Sequence, residues 1–518
     1  MRRPSADLAV GTGAPLLWLV SLTLPSGAIR RLSSQPVTLT ARGPNGGTFG
    51  FEPGLDALEA FKSGIDMMGT AGTTGTLTQA TIRFTVTDDL AELQANHHEM
   101  GACTVEIALG YDGDDWEDRE VLLGGATVQG VEFGYVGEQT AISVELGPEP
   151  TSALIGDDAR DVGTDWPDTL RDIAVADMAS VVGQKYQWVL GGPLSVPGIK
   201  VGASGGTNRL ILCGHNLAVL TAVTIYEDGV SQGTLTPANA TLSTGDYAYV
   251  TSATEFSASS GAYTWSAVTG GVAALDRPGA ALTASSVLYW LLYNSGLRID
   301  WATTQSALDG LRSWPIGIYL DQEAAMVDVV RDHLAAWLPI VEAPTADGTA
   351  FVYADPYEAR SQGLLTMGQE ILGRAGPMKT TDLDAIRNSF TLNYKPNAFS
   401  GVYDGTVTLD ADDSQVCAVS VGWYGERPEE AMDCDIVHDA VTARRVLRHI
   451  AAKMALPRRI VSYVMAPEWY WLTAGSVWSI TDPGYSLSNT VAYLVEIERG
   501  AALIATFECI DVAITGRQ

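Results

Sequence analysis

Carboxylates are the most concentrated side chains in this sequence that could do chemistry, and the densest group is the segment Asp112–Asp118. Its sequence, Asp-Gly-Asp-Asp-Trp-Glu-Asp, places five carboxylates within seven positions. Hard cations such as Ca²⁺ bind several oxygen ligands, so this composition resembles that of a calcium loop. The segment lacks the later glycine and the terminal bidentate glutamate of an EF-hand. We therefore interpret it as a solvated hairpin tip between two strands, with a cation site as the alternative.

Acids that stand beside aromatic residues could support cleavage of sugars. Glu468 precedes Trp469-Tyr470-Trp471, and Asp300 precedes Trp301. A glycosidase needs two carboxylates that flank a cleft, and aromatic side chains commonly line such clefts. Because the chain has 13 Trp and 19 Tyr, such neighbours also arise by chance. Packing at an interface is the favoured interpretation of both sites.

Motifs for nucleotide, metalloprotease or serine-hydrolase chemistry are missing from the sequence. It contains no G-x-x-x-x-G-K-[ST] and no H-E-x-x-H, and no G-x-S-x-G falls on a predicted strand-to-helix turn. The glycine-rich stretch Gly202–Gly206 has no predicted helix after it, which favours a linker over a phosphate cradle. His97 and His98 are adjacent and point to different sides of most backbones, which is poor geometry for one metal ion. The sequence therefore predicts no catalytic, cofactor-binding or metal-binding residues, and no enzyme.

Basic residues are sparse but clustered. Six of the 31 lie within 16 positions, on or just after one predicted helix: Arg444, Arg445, Arg448, Lys453, Arg458 and Arg459. A basic ridge on an acidic protein can dock on an acidic neighbour and contributes specificity and association rate. The alternative is a solvated helix face that forms salt bridges within its own chain. We predict a subunit or partner interface at these six residues.

Composition limits the classes of function. The chain has 518 residues, 61 Asp and Glu against 31 Lys and Arg, and a net charge of −30. Only 18% of residues are charged and 46% are hydrophobic, so the acidity reflects missing bases in a packed protein of three or four domains. Such a chain repels DNA, which excludes duplex binding by a basic face. The five scattered cysteines lack a C-x-x-C motif and are expected as buried thiols in a reducing compartment.

The elements that would position these residues are mainly strands. The apolar stretch Leu17–Leu24 fits a buried strand better than a signal peptide, and no segment is long and apolar enough for a membrane anchor. Over residues 1–150 the spacing of apolar residues predicts a helix at 53–68 and a short helix at 88–96. Alternation predicts strands at 81–86, 103–109, 126–133 and 140–146.

The middle of the chain divides into two segments that differ in composition and in predicted secondary structure. Residues 151–202 form a connecting segment with a helix expected at 168–182. Residues 203–275 are rich in Thr, Ser, Gly and Ala and alternate repeatedly, which predicts an inserted β-sandwich. The opening Leu212–Leu217 looks like that of immunoglobulin-like TIG modules.

The remainder reads as an α/β domain at 276–380 and a β-rich domain at 381–518. We expect a helix capped by Ser285 or Ser286 and a helix at 321–337 capped by Asp321, with an apolar stripe that includes His333. Further expected elements are a helix at 439–456 and strands at 351–353, 388–394, 416–423, 460–466, 476–481, 490–497 and 502–509.

The order of these segments resembles the hub proteins of phage tail tips and baseplates. The likeness lies in Trp314–Asp321 with the helix and Phe351–Asp355 strand that follow, in Ile386–Tyr394, and in the Thr-Ala-Arg helix that ends at Pro457. It extends to Leu472–Thr481 and to the final hairpin. In the N-terminal part, Gly101–Gly110 resembles the G-x-x-V-x-I-x-L-G-Y strand of that family.

The resemblance implies a homotrimer of two-barrel subunits that forms a pseudo-sixfold ring in the virion tail tip, assembled in the host cytoplasm. Expected partners are a distal tail or tail tube protein, a tape-measure protein and a central fibre or spike. DNA would pass through the lumen without specific binding, and no cofactor or membrane anchor is implied. The expected fold class is mainly β with α+β segments: two tube-like β-barrel hub domains, a mixed α/β domain and the inserted β-sandwich. The alternatives are a polysaccharide- or cell-wall-degrading enzyme and a surface adhesin with immunoglobulin-like modules.

Overall fold

A computed structural model of the chain describes most of its residues and shows a mainly β architecture with α+β segments, which confirms the expected fold class. The described residues are 17–24, 27–42, 46–58, 61–65, 75–77, 81–86, 103–136, 139–147, 154–155, 188–191, 196–201, 208–213, 223–227, 230–242, 245–252, 263–266, 283–320, 324–345, 347–397, 401–500 and 502–510.

The first large sheet is built from the N-terminal strands. These strands are β1 Leu17–Thr23, β2 Ile29–Ser33, β3 Val37–Thr40, β4 Thr48–Pro53, β5 Leu55–Leu58, β6 Phe61–Ile65, β7 Gly75–Leu77, β8 Thr81–Val86, β9 Thr104–Gly110, β10 Glu120–Val136 and β11 Gln139–Gly147. Nine of them pair in the order β3-β4-β2-β1-β9-β10-β11-β8-β5. The strands expected near Leu17, 81–86, 103–109, 126–133 and 140–146 are confirmed.

Strand β1 is buried on both faces. Leu17 and Leu19 pack in one apolar cluster with β3, whereas Val20 and Leu22 pack in another with β9. Successive side chains of a strand point to opposite faces, so a near-continuous apolar run is what such a position requires. This explains why the segment resembles an exported leader in composition.

The helix predicted at 53–68 is wrong in its described part, which forms β5 and β6. Apolar residues there fit a helical repeat, but Leu55 pairs with Phe84 of β8 and Phe61 pairs with Arg499. Pairing with distant strands overrides a local periodicity of this length. The helices expected at 88–96 and 168–182, and His97 and His98, lie outside the described residues.

The inserted segment forms a sheet of its own. Its strands are β14 Val196–Val201, β15 Asn208–Cys213, β16 Val223–Glu227, β17 Val230–Leu235, β18 Ala238–Leu242, β19 Gly245–Ser252 and β20 Tyr263–Ser266, and they pair in the order β17-β16-β20-β14-β15-β19-β18. Just before it, β13 Trp188–Gly191 pairs with β21 Gly317–Leu320, which follows the insertion in the chain. The insertion therefore leaves the framework after β13 and returns before β21.

Five helices lie within the described residues, all in the second half of the chain. The helices are α1 Ala284–Asn294, α2 Trp301–Gly310, α3 Met326–Val329, α4 Gln415–Tyr424 and α5 Ala440–Met454, and α3 continues as a π-helical turn over Val330–Ala335. Short 3₁₀ turns occur at Trp116–Asp118, Leu311–Ser313, Leu383–Ala385, Pro467–Trp469 and Pro483–Tyr485. Residues of all five helices share one buried apolar core.

Two helix starts differ from expectation. Thr283 precedes α1, and Ser285 and Ser286 lie in its first turn rather than capping it. The helix predicted from 321 begins only at Met326, because Ala324–Ala325 is a short strand, β22, that pairs with β12 Leu154–Ile155. Asp321, the predicted cap, lies outside the described residues.

The strand predicted at 416–423 is wrong, since these residues form α4. The Ser414 side chain accepts a hydrogen bond from the Cys417 backbone N–H at 3.4 Å and caps the helix. Gly425 follows its last residue at φ +74°, a conformation that favours glycine and ends helices. The β-branched residues inside the segment favour a strand by propensity, and the two end signals decide against it.

The second large sheet gathers strands from the C-terminal part and from the N-terminal part. The remaining strands are β23 Ile340–Thr345, β24 Gly348–Tyr353, β25 Leu364–Thr366, β26 Ile371–Arg374, β27 Lys379–Thr380, β28 Phe390–Asn397, β29 Val402–Leu409, β30 Met432–Asp433, β31 Arg459–Met465, β32 Val477–Asp482, β33 Leu487–Arg499 and β34 Leu503–Cys509. The central order is β25-β32-β33-β34-β31-β26, and β6 joins the sheet by pairing with β33. The strands expected at 351–353, 388–394 and in the C-terminal hairpins are confirmed.

All five cysteines are buried thiols outside any disulfide, as the sequence predicted. Within the described ranges, no helix combines the length and apolar character needed to cross a membrane.

Candidate interface

The basic cluster predicted from the sequence lies on and after α5. Asp439 caps this helix: its Oδ1 accepts hydrogen bonds from the backbone N–H groups of Val441 at 3.0 Å and Thr442 at 2.9 Å. The face that carries Val446 and Leu447 is fully buried in the helical core. A capped amphipathic helix fixes which residues remain outside, and these form the opposite face.

Two of the six basic residues share that outer face. Arg444 and Arg448 are exposed and lie one turn apart. Val441, one turn before Arg444, has 79% of its surface exposed, which is unusual for a β-branched apolar residue. In the sequence, Val441 does not share the helical spacing of the apolar residues Val446, Leu447, Ile450 and Ala451. This departure is the signal that could have identified it. We call Val441, Arg444 and Arg448 the outer face of α5.

Arg445 has a structural role within the chain. Its guanidinium carbon lies 4.0 Å from the centre of the Trp314 ring, and its Nη1 donates to Ser313 Oγ at 2.7 Å. The fully buried Trp314 ring thus receives a cation on its face. Arg445 joins α5 to the turn before β21 and is not part of the outer face.

Lys453 and Arg458 are buried, with 7% and 6% of their surfaces exposed. Arg458 Nη1 donates to the buried carboxylate of Glu508, and Nη2 donates to the Lys453 carbonyl oxygen. These contacts tie the end of α5 to β34. Two of the six residues of the predicted basic ridge, Lys453 and Arg458, therefore lie inside the fold and not on an exposed face.

Arg459 is half-buried at the start of β31, where its backbone pairs with Thr380. The structure thus brings Arg444 and Arg448 together and places the other four basic residues elsewhere.

His449 of α5 is buried as well. Neither of its ring nitrogens has a hydrogen-bond partner among the described residues. Burial lowers the pKa of His449 well below its ordinary value, and the charges of Lys453 and Arg458 lower it further. The imidazole is therefore neutral near pH 7 and serves packing.

The acidic segment Asp112–Asp118 forms the tip between β9 and β10, as predicted. Asp112 Oδ1 accepts a hydrogen bond from the Thr38 backbone N–H at 2.9 Å, and Arg42 donates to Asp115 Oδ2 at 2.6 Å and to Asp118. These acids thus hold the neighbouring loop after β3. Across the described part of the chain, no group of three His, Cys, Asp or Glu side chains is placed to hold a metal ion.

The acids considered for sugar cleavage have different surroundings. Asp300 caps α2, where its Oδ1 accepts from the Thr303 backbone N–H at 3.0 Å and its Oδ2 accepts from Thr303 Oγ1 at 2.6 Å. Glu468 is exposed, while the neighbouring Trp469 and Trp471 rings stack with centroids 5.4 Å apart.

Comparison with known proteins gives matches in structure only. No family model matches the chain, and no curated protein matches it. The chain is similar to a tail protein from Neisseria meningitidis at 9% identity and a TM-score of 0.36, covering 96% of this chain and 97% of that one. It is similar to the 43 kDa tail protein of prophage MuSo2 from Shewanella oneidensis at 10% identity and a TM-score of 0.36, covering 96% and 100%. A chain of a native gene transfer agent virion matches at 14% identity and a TM-score of 0.46, covering 65% and 87%.

Proposed function

We propose that this protein is a structural component of a phage-type virion tail: a hub of the tail tip or baseplate that connects the tail tube to a central fibre or spike. The observation that carries the proposal is the union of two large curled sheets in one chain. Strand β6 leaves the N-terminal part and pairs with β33, so backbone hydrogen bonds join the two parts. Two sheets joined by backbone hydrogen bonds suit a ring that must withstand mechanical force.

The order of segments supports the same proposal. The segments whose sequence resembles hub proteins lie in both large sheets and in the helical core. Gly101–Gly110 overlaps β9, Trp314–Asp321 overlaps β21, and Leu472–Thr481 overlaps β32. In a trimer, three such chains would supply six large sheets, two from each chain. These would form a pseudo-sixfold ring that contacts a hexameric tail tube or distal tail protein. A tape-measure protein and a central fibre or spike are the further partners of this arrangement.

The charge of the chain fits a DNA conduit. Three chains of −30 each give a ring of −90. An acidic lumen repels the phosphate backbone and would let DNA slide through without being held.

The mass of the assembly and its structure test the proposal together. Light scattering on the full-length protein should give a stable species near three times 54.9 kDa. A stable dimer or tetramer would contradict the trimer, and electron microscopy of the ring that showed a neutral or basic lumen would contradict the conduit.

The outer face of α5 is the part of the predicted interface that we retain. Arg444 and Arg448 are exposed cations on an acidic chain, and Val441 adds apolar surface beside them. Positive charge opposite an acidic neighbour specifies orientation and speeds association. We propose that this face contacts another subunit or a tail partner.

A further inference from the structure

A cavity of ≈ 500 Å³ lies where the first sheet, helix α2 and the second sheet meet. Its volume falls within the roughly 300–1,000 Å³ that ligand pockets occupy. Its walls include Glu106 and Arg119 from the β9–β10 hairpin, Asp300 at the start of α2, Trp471 from the loop before β32, and Arg499 at the end of β33. Polar side chains from three parts of the fold therefore converge on one space.

The three cations of this cavity already have partners within the chain. The half-exposed Arg298 has its Nη2 3.9 Å from Asp347 Oδ1. Arg119 Nη2 donates to Glu106 Oε1 at 2.9 Å, and the Arg119 guanidinium lies 3.7 Å from the Trp116 ring centre. Arg499 is buried, and its Nε donates to the Tyr470 carbonyl oxygen at 2.9 Å. A charged ligand would have to replace such contacts, so the lining favours a ligand without net charge.

Capacity for further hydrogen bonds remains around these pairs. A carboxylate has about four lone-pair sites and a guanidinium five N–H donors, more than the pairing of Glu106 with Arg119 uses. Thr303, Ser306 and Thr473 add hydroxyl groups to the lining. A mixture of acceptors and donors at close range suits ligand hydroxyl groups, which donate and accept at once.

An aromatic surface completes the site. Trp471 lines the cavity and is only half-buried, and its ring is held by stacking on Trp469 with an interplanar angle of 27°. Trp469 in turn meets the buried Trp478 edge-on, with ring centroids 5.4 Å apart. A ring fixed in this way offers a flat apolar face, on which the C–H face of a pyranose can pack.

We propose that this cavity binds a neutral oligosaccharide, with one pyranose ring on Trp471 and its hydroxyl groups shared between Glu106, Arg119 and Asp300. The site is independent of the proposed ring, since one chain supplies all of its walls. Arg119 and Glu106 remain paired in the complex, and no covalent bond is made or broken.

Calorimetric titration of the full-length protein with maltotriose and with the trimer of N-acetylglucosamine tests the site. We expect saturable binding of at least one trisaccharide. Trp471→Ala should weaken it by about 10-fold or more, because stacking and its buried area are lost. The matched control is Trp423→Ala, which removes an exposed tryptophan of α4 outside the cavity and should leave the affinity unchanged.

A blocking variant keeps the test valid if Trp471→Ala disturbs the tryptophan cluster. Ala302 is exposed on α2 and lines the cavity, so Ala302→Phe places a bulky ring in the space from an exposed position. This variant should abolish trisaccharide binding. The proposal is overturned if neither trisaccharide binds at millimolar concentration, if Ala302→Phe and Trp471→Ala bind as well as the unaltered chain, or if a peptide binds in the cavity and the sugars do not.

Discussion

Three arginines show how their partners determine what a charged side chain does in this protein. Arg374 forms a two-point pair with Asp482, at 2.9 Å from Nε and 2.5 Å from Nη2, and this hydrogen bonding lowers the pKa of the buried carboxyl. Arg458 is buried with Glu508. Arg499 is buried and donates to the backbone carbonyl oxygens of Tyr470 and Leu472, and its burial lowers its pKa to about 10. Each of these cations is engaged by groups of its own chain.

His333 and Asp435 provide a pH-dependent contact between α3 and the segment before α5. His333 Nδ1 lies 2.7 Å from Asp435 Oδ2. Burial opposes the charged imidazolium, but the hydrogen bond and charge of Asp435, with a smaller contribution from Asp332, raise the pKa of His333 above its ordinary value. A raised folded-state pKa stabilises the protein fully below the unfolded pKa of about 6.5, and the effect is lost as the pH rises through the folded value.

Replacing Asp435 should therefore destabilise the protein in acid and have little effect in base. Because the Asp435 side chain is 42% exposed, we expect Asp435→Asn to cost no more than about 1 kcal/mol. The measurement is the melting temperature of the variant and of the unaltered chain at two pH values, one below and one well above the ordinary pKa of histidine. Asp412→Asn removes the same charge from an exposed turn and is the control. A loss that is equal at both pH values would exclude this role for His333.

The outer face of helix α5 can be tested as an interface by reversing its charges. Arg444→Glu with Arg448→Glu reverses both cations of its outer face without touching Arg445, which stacks on Trp314. Like charges placed together across an interface are costly, so we expect the oligomer to dissociate about 10-fold more readily or worse. Light scattering over a dilution series measures this.

A second pair of substitutions is the control for the effect of net charge on the oligomer. Arg312→Glu with Arg360→Glu makes the same change in net charge at two exposed arginines outside α5. An oligomer weakened equally by both pairs would show that the outer face of α5 has no special role.

Elements with clear ends or long alternation could be predicted from the sequence, and elements decided by distant partners could not. Helix α5 was predicted almost to the residue, because Asp439 and Pro457 mark its ends. Strand β6 was missed because one of its strand partners among the described residues, β33, lies far along the chain. Helix α4 was missed because Val416, Val419 and Val421 favour a strand and only the end residues indicate a helix.

The candidate interface was only partly predictable for a similar reason. Spacing of 444 and 448 on one side of a helix is a local property, and the structure confirms that they share a face. Burial of Lys453 and Arg458 depends on Glu508 and on the β31–β34 pairing, which no local pattern encodes. The cavity beside Trp471 combines three distant segments and gave no signal beyond Asp300 and the tryptophans.

At the scale of the whole molecule, the inserted sheet should be separable from the framework. Strands β14 to β20 pair only with one another among the described residues, and β13 already pairs with β21 across the insertion. Replacing residues 192–282 by a short Gly-Ser linker should therefore leave the remaining fold intact, since lengthening or shortening a loop changes its closure entropy only slowly.

Thermal unfolding followed by circular dichroism checks this prediction. We expect a cooperative transition within a few degrees of that of the full chain. Deleting β6 is the contrasting variant, because it removes a strand of the second large sheet and should lower the transition strongly. Aggregation of the 192–282 deletion, or loss of its transition, would refute the separable arrangement.

The pairing of β6 with β33 also dictates an order of events while the chain is being made. Phe61 pairs with Arg499, and Gly64 pairs with Glu496, so β6 is synthesised long before the strand with which it pairs. Contacts between such distant residues are slow to form, and an unpaired strand edge is prone to stick to other chains in the meantime. We therefore expect the second sheet to close after synthesis, with the first sheet and the inserted sheet already folded, and chaperone demand to be greatest while β6 is unpaired.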